Sequence, residues 1–170
     1  DPAEVLVAEG GGPLGRPPMA AAVRAARRGT RPWRLRLGGA DAAAEAALLA
    51  ARAEGAPVVV EPAAPDYRAR LGACAASVSL LGYNTAVDLM QSGAPAVVVP
   101  MAEAAEREQT LRARAFAALP QAEILDALTP EALAAAVARA VARGRRAPAA
   151  VDLGGVSRSA ALILGRAAQE

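Results

Sequence analysis

Short runs of valine, leucine and isoleucine alternate along this chain with longer stretches where alanine and leucine recur at helical spacing. Glu4–Glu9 (EVLVAE) predicts a first strand, followed by GGGPLGRPP and a helix over Met19–Arg28. Trp33–Leu37 predicts a second strand, and Asp41 then stands where it would cap an alanine-rich helix running to Glu54. Val58–Glu61 predicts a third strand and Asp66–Ala75 a short helix. Val78, Leu80 and Leu81 carry the fourth strand, and Ala96–Val99 the fifth. Ala105–Ala118 reads as helical and Ala122–Leu125 as a sixth short strand. Thr129-Pro130-Glu131 matches a helix start of cap, N1 proline and early acid, after which Leu133, Val137 and Val141 recur every fourth residue on one face.

This alternation, with strands that are near-continuous apolar runs, predicts an α/β domain. The expected core is a parallel sheet of about six strands with helices on both faces. One domain spans residues 1–170, with 144–150 (GRRAPAA) as a linker to a terminal helix within 151–170, placed most firmly at Ser157–Ala168. Parallel sheets of this kind bind ligands outside the carboxyl ends of their strands. The candidate segments fall at such ends: Gly10–Gly15, Pro62–Tyr67, Gly82–Asp88 and Pro100–Gln109.

The segment Ser77–Pro100, SVSLLGYNTAVDLMQSGAPAVVVP, is the densest in chemistry. Gly82 is expected to let the backbone turn sharply, Asn84 or Thr85 to cap a helix, and Gly93 to end it. A helix start directly after a strand presents free N–H groups and the positive end of the dipole to an anion. Asp88 follows Thr85 by three residues, so both share a helical face. The set suits a nucleotide, with phosphates at the cap and ribose hydroxyls on the acid. Gln109 adds a polar group from the loop after the next strand.

Gly10, Gly12 and Gly15 spell G-x-G-x-x-G after a strand, which leaves a dinucleotide-binding oxidoreductase domain as one alternative. Against it, Pro13 removes a backbone donor, and Pro17-Pro18 is expected to delay the helix that would hold a pyrophosphate. The acid required at the end of strand two is also missing, since Gly38-Gly39 follows Leu37.

Composition narrows the chemistry further. The chain has no histidine and no lysine, so its cationic charge is all arginine and its net charge is +2. A histidine base and a Ser/His/Asp triad are therefore excluded, and no metal cluster is visible. Arg24, Arg27, Arg28, Arg31, Arg34 and Arg36, and again Arg139, Arg143, Arg145 and Arg146, read as two solvated helix ends. Aromatic residues are 2% of the chain, too few for base stacking, which argues against a nucleic-acid partner. Cys74 is the sole cysteine and reads as a small buried hydrophobe. No apolar run reaches a membrane span and no secretory signal is visible, so the expectation is a soluble, cytoplasmic protein. The start at Asp1, without methionine, suggests an excised or processed piece.

GGG-x-x-G after strand one, GYNTAVDLMQSGAPAVVVP and EREQTLRA together resemble the C-terminal half of MurG-like, family 28 glycosyltransferases. The resemblance is nearest to bacterial members with a GYNT signature and extends over nearly the whole chain. It implies a Rossmann-like domain, the donor-binding half of a two-domain GT-B fold, and transfer of a hexose or N-acetylhexosamine from a nucleotide diphosphate, UDP above all. It further implies that Gly82, Tyr83 and Asn84 offer donors to the diphosphate while Thr85 supports the turn. Asp88 would grip the ribose diol, Gln109 touch the sugar, the loop around Asp66 and Tyr67 meet the base, and, within the glycine loop of Gly10, Gly11, Gly12 and Gly15, Gly11 and Gly12 line the cleft facing the acceptor domain. The nucleotide-sugar is a substrate, so no cofactor is implied. The catalytic base would lie in an N-terminal acceptor domain, or a separate subunit, that this chain lacks.

Two departures stand out. Leu81 occupies a position that is glycine or serine in such proteins, where it would crowd the phosphate pocket, and Met101, Ala102 and Glu103 replace basic residues after Pro100. A non-catalytic assembly subunit, docking a partner through its glycine-loop face, is the alternative of a different class.

Overall fold

The computed structural model describes residues 4–9, 16–99, 122–125, 127–150, 152 and 154–167. Its strands are β1 (Val5–Ala8), β2 (Trp33–Leu37), β3 (Val58–Pro62), β4 (Ala76–Ser79), β5 (Ala96–Val98) and β6 (Ala122–Ile124). Its helices are α1 (Arg16–Ala26), α2 (Ala42–Arg52), α3 (Tyr67–Ala73), α4 (Tyr83–Ser92), α5 (Pro130–Arg143) and α6 (Gly155–Ala167). The strands form one sheet in the order β3-β2-β1-β4-β5-β6, every described pair parallel. The expected helix over Ala105–Ala118 lies outside the described residues.

Period-two alternation divides the core. Val5, Val7, Leu35, Val78 and Val97 point to one face, where α1, α2 and α5 supply Ala22, Ala46, Leu133 and Ala136. Leu6, Ala96 and Val98 point to the other, against Leu71 of α3 and Ala86 and Leu89 of α4. With so few aromatic rings, alanine lets the helices approach the sheet closely. α5 is set as its sequence predicts: the Thr129 hydroxyl accepts from Ala132 N–H at 3.1 Å, and Leu133 and Val137 are buried.

Several local expectations are corrected. α1 already begins at Arg16, so Pro17 and Pro18 lie in its first turn instead of delaying it; first-turn N–H groups have no intrahelical partner for a proline to remove. Asp41 occupies the N-cap position of α2, yet its side chain makes no capping hydrogen bond. β4 stops at Ser79, so Leu80 and Leu81 belong to the turn. Gly82, and neither Asn84 nor Thr85, is the N-cap of α4. At φ −65°, ψ 162° Gly82 adopts a conformation open to any residue, so the turn does not require glycine.

The arginines of β2 are no solvated helix end. Arg34 and Arg36 alternate with Trp33, Leu35 and Leu37 and so project from the face opposite the main core. There they enter a closed ring of three cations and three anions. Arg34 pairs with Glu4 at 2.9 Å and Glu61 at 3.0 Å, and Arg36 with Glu61 at 2.7 Å and with Asp66. Arg70 closes the circle through Asp66 at 2.7 Å and Glu4 at 3.2 Å. Burial alone would raise the Glu61 carboxyl, but Arg34 and Arg36 outweigh it and hold it below its usual range. Arg36, followed by Arg70, does the same to Asp66.

The segment 144–150 has no regular structure but is fastened to the body. Arg145 donates to the carbonyls of Ser92 and Leu71 at 2.8 Å and of Cys74 at 3.1 Å. Arg146 N–H donates to Gly93 C=O at 3.1 Å and Ala149 N–H to Met90 C=O at 2.9 Å. Beyond it, α6 exposes Val156, Leu162, Ile163 and Leu164. No described helix is long and apolar enough to cross a membrane.

Candidate functional site

β1 has β2 on one side and β4 on the other, so the chain reverses its direction of travel across the sheet at β1. A crevice opens outside the carboxyl ends of the strands at such a point. Here it is a 220 Å³ cavity lined by Ala8 and Glu9 after β1, Arg36 of β2, Ala63 and Ala64 after β3, Tyr67 of α3, and Asn84, Thr85 and Asp88 of α4.

The sequence folds this way because two strand-to-helix turns converge there. β4 ends, Leu81 buries itself among Leu6, Leu71 and Leu89, and the chain enters α4 through Gly82. The first bond of the helical ladder runs from Ala86 N–H to Gly82 C=O at 3.0 Å, so the amides of Tyr83, Asn84 and Thr85 precede it. Their positive dipole end faces the crevice, with Asp88 a turn deeper on the face of Asn84 and Thr85. A Cβ on Gly82 would meet only Thr85 Oγ1, at 3.8 Å, so the residue leaves that end of the crevice open.

The polar atoms here are incompletely satisfied. Asp88 Oδ1 and the Tyr67 hydroxyl are shut off from solvent and lack a hydrogen-bond partner among the described residues. Arg68 Nε lies 2.8 Å from Asp88 Oδ1, an ion pair whose N–H is not aimed at the oxygen. Burial first, and then the negative charge of Asp88, push the Tyr67 hydroxyl far above its usual range, so it remains a neutral donor. Unpartnered buried groups each cost about 1–3 kcal/mol, which a ligand that pairs with them recovers.

Of the residues singled out by sequence, the structure brings Tyr67, Asn84, Thr85 and Asp88 to one cavity, with Gly82 at its helix start. Tyr83 is 73% exposed and does not line it. The Asp66 carboxylate is held in the ion ring beside the cavity. Gly10, Gly11, Gly12, Gly15 and Gln109 lie outside the described residues, as do Pro100 and Met101 to Glu103. Leu81 is 1% exposed within the α3–α4 core, so it does not crowd the cavity as expected. Glu9, Arg36 and Arg68 were missed. The alternation of β2 carried a signal for Arg36; Arg68 and Asp88 stand 20 residues apart with none.

Two larger hollows lie elsewhere. One, of 380 Å³ between α1 and α5, reaches Trp33 at the amino end of β2, where parallel sheets do not hold ligands. The other, of 350 Å³, runs between α1 and α2 past the exposed Leu48 and the partly buried Leu49. Neither has a helix N-terminus paired with a buried acid.

Comparison with known proteins places this geometry. The chain superposes on MurG of Acinetobacter baumannii with a TM-score of 0.67 at 22% identity, over 84% of this chain and 42% of that one. A glycosyltransferase of kitacinnamycin gives 0.61 at 23% identity, over 81% and 34%. A calicheamicin glycosyltransferase gives 0.63 at 20%, over 84% and 34%. At these identities the likeness is one of fold, and the chain spans less than half the length of each. No curated protein sequence matches the chain. The model of the glycosyltransferase family 28 C-terminal domain matches residues 43–153. That match covers β3, the crevice turn and α5; it leaves out β1, the glycine-loop positions and all of α6, a shorter span than the resemblance suggested. This chain therefore belongs to the glycosyltransferase family 28 C-terminal domain.

Proposed function

We propose that the crevice between the carboxyl ends of β1 and β4 holds the nucleotide diphosphate of a sugar donor, UDP-linked in the first instance. The single observation that carries this reading is the start of α4. Its first-turn amides and dipole face the same cavity as Asp88, a largely buried acid with one oxygen left without a hydrogen bond among the described residues. Amides at the helix start would hold the β-phosphate, and their fixed dipoles would favour the negative charge that grows there as the sugar leaves. Asp88 would accept from the ribose hydroxyls, and Tyr67, kept protonated, would donate to a carbonyl of the base or to the ribose. Gln109 and the glycine loop remain proposed as contacts to the sugar and to the facing domain.

With a second domain supplying the acceptor and the catalytic base, the full protein would transfer a hexose or N-acetylhexosamine from that nucleotide. The reading places the reaction in the cytoplasm, where nucleotide-sugars are made. The isolated half should bind donor and turn over little.

Calorimetric titration of this chain with UDP, a UDP-sugar and NAD tests the proposal. UDP binding that Asp88→Ala abolishes supports it. Absence of any nucleotide binding overturns it, and binding of NAD alone transfers the site to the dinucleotide reading.

A further inference from the structure

We infer that Arg68 is an exchangeable cation of the crevice, resting on Asp88 when the site is empty and passing to the phosphates when a nucleotide binds. The inference rests on the donor reading of the crevice and gives it a movable cation, where Met101, Ala102 and Glu103 stand in place of basic residues directly after Pro100.

The Arg68–Asp88 pair is lopsided. The arginine side chain is 76% exposed and the aspartate side chain 11%, so a solvated cation rests on a largely buried acid. Nε stands 2.8 Å from Oδ1, yet among the described residues that oxygen has no aligned donor and the Tyr67 hydroxyl in the same cavity has no partner. A pair built only for stability would be expected to satisfy the acid it covers. The neighbouring arginines are differently placed. Arg34, Arg36 and Arg70 each bridge two carboxylates of the closed ring, and moving any of them would open it. Arg68 has a single carboxylate partner among the described residues.

A nucleotide alters both ends of the pair at once. Ribose hydroxyls are aligned donors for Asp88 and satisfy the oxygen that Arg68 covers poorly. Phosphates at the helix start offer Arg68 a bidentate acceptor of higher charge than the carboxylate it leaves. From Tyr83 to Asp88 the helix rises about 7.5 Å, a span that an exposed arginine crosses by changing rotamers. A nucleoside without phosphates would also have to displace Arg68 from Asp88, with nothing in return. Arg68 therefore sharpens the preference for nucleotides over nucleosides that the helix start already gives, because it opposes the nucleoside and assists the nucleotide.

Titrating the wild-type chain, Arg68→Gln and Arg68→Lys with UDP and with uridine tests this. In Arg68→Gln, UDP binding should weaken by about tenfold or more, the worth of a lost charged hydrogen bond. Uridine binding should stay constant or tighten in the same variant, and Arg68→Lys should recover part of the UDP affinity. Equal losses for both ligands, or no change in either, would overturn the exchange. If UDP binds and Asp88→Ala abolishes it while Arg68→Gln is silent, the exchange fails and the donor reading stands. If wild type binds no UDP, both fall.

Discussion

A methyl group on Gly93 would overlap the carbonyl oxygen of Arg146, and the same glycine accepts a hydrogen bond from the Arg146 N–H at 3.1 Å. Gly93 ends α4 in the left-handed conformation, φ 61°, so both its backbone and its missing side chain are needed where segment 144–150 crosses. Gly93→Ala should therefore cost well over about 1 kcal/mol, because it adds strain at positive φ to a backbone clash. Urea unfolding would show a lowered midpoint, with segment 144–150 opened to proteolysis in the folded state.

The same segment guards Cys74. Burial raises its thiol to about 11, against a smaller opposing effect of Arg145. The raised value means that the folded state favours the neutral thiol. That contribution to stability is present below the ordinary thiol range, near pH 8.5, and fades as pH climbs toward 11. A thiol reagent at pH 8 should label native protein only through opening. Arg145→Ala removes the bonds to Leu71, Cys74 and Ser92 carbonyls and should speed labelling about tenfold for each 1.4 kcal/mol of lost protection.

The ion ring predicts acid sensitivity. Glu61 and Asp66 are both held below their usual ranges, so their stabilisation is complete above the unfolded values, about pH 4. It is lost as pH falls through the lower folded values. Urea midpoints should drop between pH 5 and pH 3, and Glu61→Gln should flatten that slope while costing about 1–3 kcal/mol at pH 7. A variant as steep as wild type would show that the ring contributes nothing to acid stability.

Leu81 offers a clean separation of site from core. Its side chain packs with Leu6, Leu71 and Leu89 and makes no part of the cavity wall. Leu81→Ala should cost about 2–5 kcal/mol and leave UDP affinity unaltered in the folded fraction. Tighter UDP binding in that variant would show that Leu81 does intrude on the phosphates.

Thr129→Ala should cost about 1 kcal/mol through loss of the bond to Ala132 N–H, with thermal unfolding as the measure.

Much of this was legible in the linear pattern. The β1, β2 and β3 runs, the α5 start at Thr129-Pro130-Glu131 and the Gly93 stop are local features, decided by residues within a turn of one another. So was the pairing of a helix start with Asp88, because three residues along a helix fix a shared face. The two proline residues of α1 misled because helix tolerance for proline depends on its distance from the first turn, which the sequence does not mark.

What the sequence determined by itself is the alternation of elements, the parallel class and the turn that carries the start of α4, all set by periodicity and local backbone preference. Tertiary structure alone decided that Arg34, Arg36 and Arg70 close a ring with Glu4, Glu61 and Asp66, that Leu81 belongs to the core, and that Arg68 rests on Asp88. Charge pairing and burial depend on which strands become neighbours, and parallel strands become neighbours only through crossovers whose partners lie tens of residues away.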